Sequence, residues 1–523
     1  MAQGACVAPL VPMLVALAVG SGSAATREYD AREFGAVADG KTLATRAIQS
    51  AIDRCTAEGG GRVVLAGGAF LSGALALKSN VTLHVEAGAV LRGSLDKADY
   101  PDIVPQVPFL YRPRFTRQLI HAERQSNIAI TGRGTIDGQG THEAYDARKH
   151  KGDTDRPYIL RFAECANVAL RDITLLESPR WCAHLLACED VTIDGVTIRS
   201  TVRENRDGLD IDSCDRVRVS NCRIETGDDA IVLKSTTRRP CRNVTVTNCH
   251  LSSQAAAFKL GTESNGGFQN IVMSNSTLYD TGGAGISLLM VDGGTLDGVA
   301  VSNVVMENVF SPIFIRLGNR ARPLPGEEPP GVGTLRNIVI SGVQARGAGP
   351  LGCALSGIPG HPIEGLTLRD IRLEFAGGGT AEDARAALPE REAAYPAPRM
   401  FGPRLPAYGF FIRHVRDLTL DGLGVSFERA AGEARPALVL DDVLDANLTK
   451  LRATAAGQAP TLRLVNCQGV LLHGCRVAEP QGPFVAIAGE RSRDIAILGN
   501  DLRKAQPPAA VEQAVPQGAV WTQ

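Results

Sequence analysis

Asn167-Val168-Ala169-Leu170, Asp190-Val191-Thr192-Ile193, Arg216-Val217-Arg218-Val219, Asn243-Val244-Thr245-Val246 and Asn270-Ile271-Val272-Met273 are five versions of one unit. A polar residue leads. Aliphatics then alternate with variable positions, the period of a strand with one buried face. Equivalent aliphatics, Val168, Val191, Val217, Val244, Ile271 and Val299, follow one another at 23, 26, 27, 27 and 28 residues. Strands this short, repeated at this interval, cannot each bury their own apolar face. Stacked as coils, they bury it jointly. The repeat therefore predicts an all-β chain built as a parallel β-helix.

Copies extend outward from Asn127-Ile128-Ala129-Ile130 to Asn337-Ile338-Val339-Ile340, Asp417-Leu418-Thr419-Leu420 and Asp494-Ile495-Ala496-Ile497. About thirteen coils spaced ~4.8 Å apart make a rod of roughly 60 Å. Three steps exceed one coil: Ile128 to Val168, Val299 to Ile338 and Leu366 to Leu418 span 40, 39 and 52 residues. Each implies an inserted loop, and long loops on a rigid stack build binding grooves. The first insert holds Tyr145 to Asp153. The second holds Arg316, Arg320 and Arg322. The third, Glu390 to Tyr408, concentrates aromatics in a chain with only 5% of them, and is expected to wall one end of a groove. Upstream, Thr42 to Cys55 places Ala44, Ala47, Ile48, Ala51 and Ile52 on one face. That spacing predicts a helix, expected to cap the open N-terminal end of the stack.

The 523 residues carry 55 Lys plus Arg against 56 Asp plus Glu, a net charge of −1. Such a balance excludes a general attraction to nucleic acid or to anionic membranes. Val7 to Gly20 is apolar and is followed by Ser23-Ala24-Ala25, the pattern of a signal peptide over residues 1–25. The run is too short and too interrupted to span a membrane. An exported protein, secreted or periplasmic, is expected, with residues 26–503 as a single β-helix domain. Residues 504–523, rich in Pro, Ala and Gln, read as a loosely ordered tail. Of the twelve cysteines, Cys165, Cys188, Cys214 and Cys241 share one slot of the repeat, and Cys222 and Cys249 another. Stacked small residues explain this better than zinc, because no CxxC pair exists. No metal, cofactor or partner chain is expected; a monomer is.

The chemistry concentrates in Asn205-Arg206-Asp207 and Gly227-Asp228-Asp229. Asp207 and Asp229 are 22 residues apart, about one coil, so their side chains fall on adjacent rungs. Three carboxylates this close are costly unless one binds a proton. A protonated carboxyl beside ionised ones suits general acid/base catalysis.

These motifs are similar to glycoside hydrolase family 28, the polygalacturonase and rhamnogalacturonase group. Phe34-Gly35-Ala36-Val37-Ala38-Asp39-Gly40 resembles the opening of the wider pectate-lyase-like superfamily. Gly227-Asp228-Asp229 matches the family's Gly-Asp-Asp. Asn205-Arg206-Asp207 matches its Asn-Thr-Asp with Arg206 for Thr, and Lys234-Ser235 and Ser178-Pro179-Arg180-Trp181 with His184 also fit. The resemblance implies a right-handed β-helix and an inverting glycosidase acting on a pectic polysaccharide or oligosaccharide. It implies Asp228 as general acid, Asp207 and Asp229 as the pair activating water, and Asn205 as a positioning group. An inverting site of this kind places carboxyls on both sides of the bond. The family's Gly-His-Gly falls near Ala255-Ala256-Ala257, and its Arg-Ile-Lys near Ser287-Leu288-Leu289, so those cations are missing. Lys234, Lys259, Arg316 and Arg320 are candidate replacements, since a guanidinium pairs with a uronate carboxylate through two hydrogen bonds. Glu263, Trp181 and His184 complete the expected substrate-binding set, with Trp181 placed to stack on a sugar ring. A walled groove favours exo-action. The alternatives are a polysaccharide lyase, with Asp207, Asp210, Asp212, Asp228 and Asp229 around calcium, and a non-catalytic carbohydrate-binding β-helix.

Overall fold

The computed structural model describes Met1 and residues 27–146, 155–202 and 205–523. The expected signal peptide and residues 147–154 of the first insert lie outside the described residues. The polar residue leading each repeat has a backbone reason. Asn127, Asn167, Asp190, Asn243, Asn270 and Asn337 all have φ between +51° and +58°. That left-handed turn is open to Asn, Asp and Gly, and costly for most other residues. Gly298, Gly365 and Gly469 fill the same slot with φ of +77°, +64° and +66°. The asparagines also bond along the stack: Asn167 Nδ2 donates to Asn127 Oδ1 at 2.8 Å, and Asn270 Nδ2 to Asn243 Oδ1 at 3.0 Å.

After each turn a strand pairs in parallel with the equivalent strand of the next coil. Val168, Val191, Val217, Val244, Ile271, Val299 and Ile338 stand in one register. Their side chains enter a single apolar core running from Tyr29 to Ala519. The fold is thus all-β, with one α-helix among the described residues, α1 (Thr45–Ala57). Its Ile48, Ala51, Ile52 and Cys55 are buried in that core. Beyond Lys504 the structure corrects the expectation of a loosely held tail. Ala509–Val511 pairs in parallel with Val485–Ile487, and Val520–Thr522 with Ile495–Ile497. These strands satisfy the backbone groups that the last coil would otherwise leave unpaired. The eleven cysteines among the described residues are all free and buried. In the shared slot, Cys188 Sγ donates to Phe162 O at 3.4 Å and Cys214 Sγ to Leu185 O at 3.2 Å. No helix among the described residues is long and apolar enough to cross a membrane.

A second column of parallel strands carries the site. Its strands Tyr158–Ala163, Ala183–Leu186, Leu209–Asp212, Ile231–Ser235 and Phe258–Ser264 stack in that order. Leu209, Ile231, Phe258, Ile286 and Ile313 share one inward register and are fully buried. Apart from Val232, the outward register is polar in the first coils, with Arg161, His184, Asp210 and Lys259. It turns apolar at Phe314, Ala354 and Phe411. The apolar part is covered by the third insert, whose Phe401, Leu405 and Ala407 pack on Leu289, Phe314 and Phe411. At the other end Phe109 packs on Ala163 and Leu186. That segment belongs to an insert the repeat count missed: Thr82 pairs with Ala129, 47 residues on. The two loops fence the polar strip between them.

Candidate active site

Asp207 and Asp229 each lie two residues before a strand start, and those starts, Leu209 and Ile231, are paired. Trp181 and Ala256 stand at the same position one coil before and one coil after. The coils approach closely here: Cys182 N donates to Asp207 O at 2.8 Å and Gly208 N to Asp229 O at 2.9 Å. A Cβ on Gly227 would sit 2.4 Å from Val202 O, so only glycine fits before Asp228. One oxygen from each of Asp207, Asp228 and Asp229 lies within 4.8 Å of the others.

Each carboxylate has a different environment. Asp229 is buried; Lys259 Nζ donates to its Oδ2 at 2.7 Å and Ala256 N to its Oδ1 at 3.1 Å. Asp207 is buried, with Lys234 Nζ 3.4 Å from Oδ2 and no hydrogen bond to Oδ1. Burial first, then the charges of Asp228 and Asp229, push its carboxyl up to about 8. Asp228 is partly exposed, and Asn205 N donates to its Oδ2 at 3.2 Å. Burial and the neighbouring Asp229 raise it as well. Asp210, fully buried, has no hydrogen bond to either oxygen, only Lys234 Nζ at 3.4 Å from Oδ1. Burial and Asp207 hold it well above the usual carboxylate range. The trio has the spacing to hold a cation, but Lys234 and Lys259 already supply positive charge to it.

Of the expected substrate-binding residues, Lys234, Lys259 and Glu263 join the trio. Glu263 Oε2 is 3.5 Å from Lys234 Nζ, and its Oε1 is 3.6 Å from both Arg320 and Arg322. Burial alone would raise Glu263; Lys234 and Arg320 outweigh it and hold it at about 2. Asn205 contributes its backbone N–H. Trp181 is packed edge-on against Tyr111, Tyr158 and His184 at 5.9, 5.8 and 5.2 Å between ring centres, with Lys234 Nζ 4.5 Å from its ring. His184 is fully buried and bonded through Nε2 to Asp212 Oδ2 at 3.1 Å; burial pulls it down to about 4, so it is neutral. Both are buried, and neither lines the cavity beside the carboxylates. Arg316 does not face the carboxylates. Its guanidinium is consumed by Ser356 Oγ, Gly357 O and Glu390 O at 2.9, 2.8 and 2.6 Å, tying the third insert to the stack. Arg320 is paired with Asp292.

A cavity of about 330 Å³ opens beside Asp228 and Asp229. Its other walls include Ala255, Ala256, Lys259, Ser287 and Leu289, together with Phe310 and Tyr395 to Arg399 of the third insert. The positions where the family's cations are missing therefore line the cavity with small or apolar groups. Tyr111 was not singled out from the sequence, and Tyr395 and Arg399 were expected only as part of the third insert that walls the groove. They reach the site through loops, whose path the repeat does not encode. Asp210 and Asp212, expected only as calcium ligands of the lyase alternative, stand at alternate positions of a strand buried on both faces.

The model of glycosyl hydrolases family 28 matches residues 70–389, 320 of the 523. The chain belongs to this family. As a family 28 member it is a glycoside hydrolase, which sets the lyase and non-catalytic readings aside. It is 29% identical to a protein named probable polygalacturonase from Vitis vinifera, over 66% of this chain and 74% of that one. It is 26% identical to an exo-poly-alpha-D-galacturonosidase of Dickeya chrysanthemi, over 53% of this chain and 54% of that protein, about half its length. Among solved structures, the exopolygalacturonase of Thermotoga maritima superposes with a TM-score of 0.59 at 26% identity. It covers 67% of this family 28 chain and 87% of its own.

Proposed function

We propose that this hydrolase is an exported, inverting exo-acting enzyme that releases a terminal uronosyl residue from pectic polysaccharide or oligosaccharides. The observation that supports it is the convergence of Asp207, Asp228 and Asp229 with Lys234 and Lys259 beside a cavity closed by the third insert. At about 330 Å³ the cavity is at the small end of ligand sites, roughly 300–1,000 Å³. That size suits a chain end rather than a polymer passing through.

Asp228, the partly exposed member that faces the cavity, is the general acid to the leaving glycosidic oxygen. Asp207 and Asp229 hold and deprotonate the attacking water. Neighbouring carboxyls titrate as one system, so the proton favoured on Asp207 is available to Asp228. Lys259 anchors Asp229 through their 2.7 Å ion pair. Asn205 fixes Asp228 through its backbone N–H. The right-handed coil, with α1 closing its first turn and the strands beyond Lys504 completing its last coils, is the scaffold of a single domain. The oxygens of the trio are closer than the ~6.5–9.5 Å usual between inverting carboxyls. The assignment of inversion therefore rests on the family resemblance and the two-carboxylate water site, and the product anomer decides it.

The test is incubation with pectic oligosaccharides, following products by NMR from the first minutes. The expected result is a single uronic acid released in the anomeric configuration opposite to the substrate linkage. Asp228→Asn is expected to lose on the order of 10²–10⁴ in rate. A retained anomer, or release of internal fragments, overturns this reading.

A further inference from the structure

We infer that Arg399 reads the carboxylate of the terminal uronosyl residue, replacing the cations absent at Ala255–Ala257 and Ser287–Leu289. This deepens the proposed function and rests on its placement of the scissile bond at Asp228. The charged residues lining the cavity are Asp228, Asp229, Lys259 and Arg399. Lys259 is taken by Asp229 at 2.7 Å. The other candidate cations are also taken: Arg316 by Ser356, Gly357 O and Glu390 O, Arg320 by Asp292, and Lys234 by Asp207, Asp210 and Glu263. Arg399 has no ion pair or side-chain hydrogen bond among the described residues. Instead its guanidinium carbon lies 3.6 Å from the centre of the Phe310 ring. Stacking fixes the plane of a guanidinium and leaves its in-plane N–H donors open, the geometry that accepts a carboxylate through two bonds.

The base of Arg399 is equally fixed. It sits in the 3₁₀ turn Pro398–Phe401, and Gly402 N donates to Arg399 O at 3.0 Å. Phe401 is buried against Phe411, with ring centres 6.4 Å apart. Arg316 holds Glu390 O at 2.6 Å, and Arg413 pairs with the Glu390 carboxylate at 2.5 Å. The arginine is thus presented by a loop tied down at both ends. Ala255, Ala256, Ser287 and Leu289 also line the cavity and have no charge to compete for a carboxylate. A uronosyl ring seated there has its apolar face against these small walls and its C6 carboxylate at Arg399.

Two measurements test this. The first compares kcat/KM for a galacturonate oligosaccharide and for its C6-reduced counterpart, in wild type and Arg399→Gln. The substitution is expected to lower the preference for the uronate on the order of 10–100-fold, the worth of hydrogen bonds between charged groups, with Arg399→Lys recovering part. The second titrates D-galacturonate into Asp228→Asn and into the Asp228→Asn, Arg399→Gln double variant by calorimetry, and expects affinity to drop by the same factor. Unchanged preference and unchanged binding overturn the inference. A loss of binding in the double variant, from an enzyme whose wild type cleaves no uronate oligosaccharide, leaves the role of Arg399 standing and overturns the proposed function instead. Melting curves of Arg399→Gln matching wild type exclude misfolding as the cause.

Discussion

Asp207→Asn removes one of three carboxylates whose oxygens lie within 4.8 Å of each other. At an effective dielectric of about 20, two unit charges at that outer limit repel by roughly 3.5 kcal/mol. Asp207, when ionised, therefore faces about 7 kcal/mol of repulsion from Asp228 and Asp229. It recovers about 5 kcal/mol from Lys234 at 3.4 Å on the same scale. The net cost is about 2 kcal/mol before burial is counted. The protonation equilibrium gives a second route to the magnitude. An ordinary Asp titrates at 3.8 and the native Asp207 at about 8, so between these values the folded state holds a proton that the unfolded chain has released. The stability contribution of this proton is complete below the unfolded value and is lost as pH rises through that window. At pH 7 the cost reaches about 4 kcal/mol at 1.36 kcal/mol per unit. Asparagine escapes it, and Lys234 keeps Asp210 and Glu263 as partners. Asp207→Asn is thus expected to be more stable than wild type by roughly 2–4 kcal/mol at pH 7, and equal to it at pH 4. With an unfolding entropy of ~2.1 cal/mol/K per residue, that is a rise in Tm of about 2–4 °C for a chain this long. Calorimetric scans of both proteins from pH 4 to pH 8, alongside activity, make the test. A variant that is inactive but gains nothing as pH rises would refute the crowding argument.

Arg316→Ala is expected to release the third insert, raising KM and exposing residues 380–405 to proteolysis while leaving the strand stack folded; unchanged proteolysis would show the insert is held elsewhere. Asp212 is buried and accepts from His184, Ser213 and both Thr236 N and Oγ1. Burial would raise it, but these bonds outweigh burial and hold it below the usual carboxylate range. Its contribution is therefore present above the unfolded value and lost as pH falls through the folded one. Asp212→Ala is expected to cost about 3 kcal/mol at pH 7, with a shallower loss of stability toward acid pH in denaturation curves. Asn243→Ala puts a Cβ-bearing residue without a side-chain acceptor at φ +54° and breaks the bonds to Asp215 and Asn270. About 1–2 kcal/mol is expected, read as a lower denaturation midpoint with unchanged kcat.

The stack was legible because its cause is local and periodic. A turn that admits Asn, Asp or Gly, followed by alternating aliphatics, recurs wherever a coil must turn and bury one face. The trio was legible for the same reason: Asp207 and Asp229 keep the repeat spacing, and Gly227 is required where two coils nearly touch. The replacement cations were not legible. Arg316 reads as a groove residue by composition, yet its outward register lies under the third insert, whose backbone carbonyl claims it. Nor does spacing reveal the loop around Phe109 and Tyr111, which packs beneath and beside the groove.

By itself, the sequence determined the all-β repeat, the α1 segment, the identity of the three aspartates and the family to which they point. All of these are properties of short segments and of their period. Only the tertiary structure decided which charges are spent on one another and which remain for a substrate. Lys234, Lys259 and Arg320 are neutralised by carboxylates one or two coils away, while Arg399 is held open on an aromatic ring. That allocation depends on distances between segments up to 170 residues apart in sequence, set by how loops fold over a sheet, and loops carry no period to read.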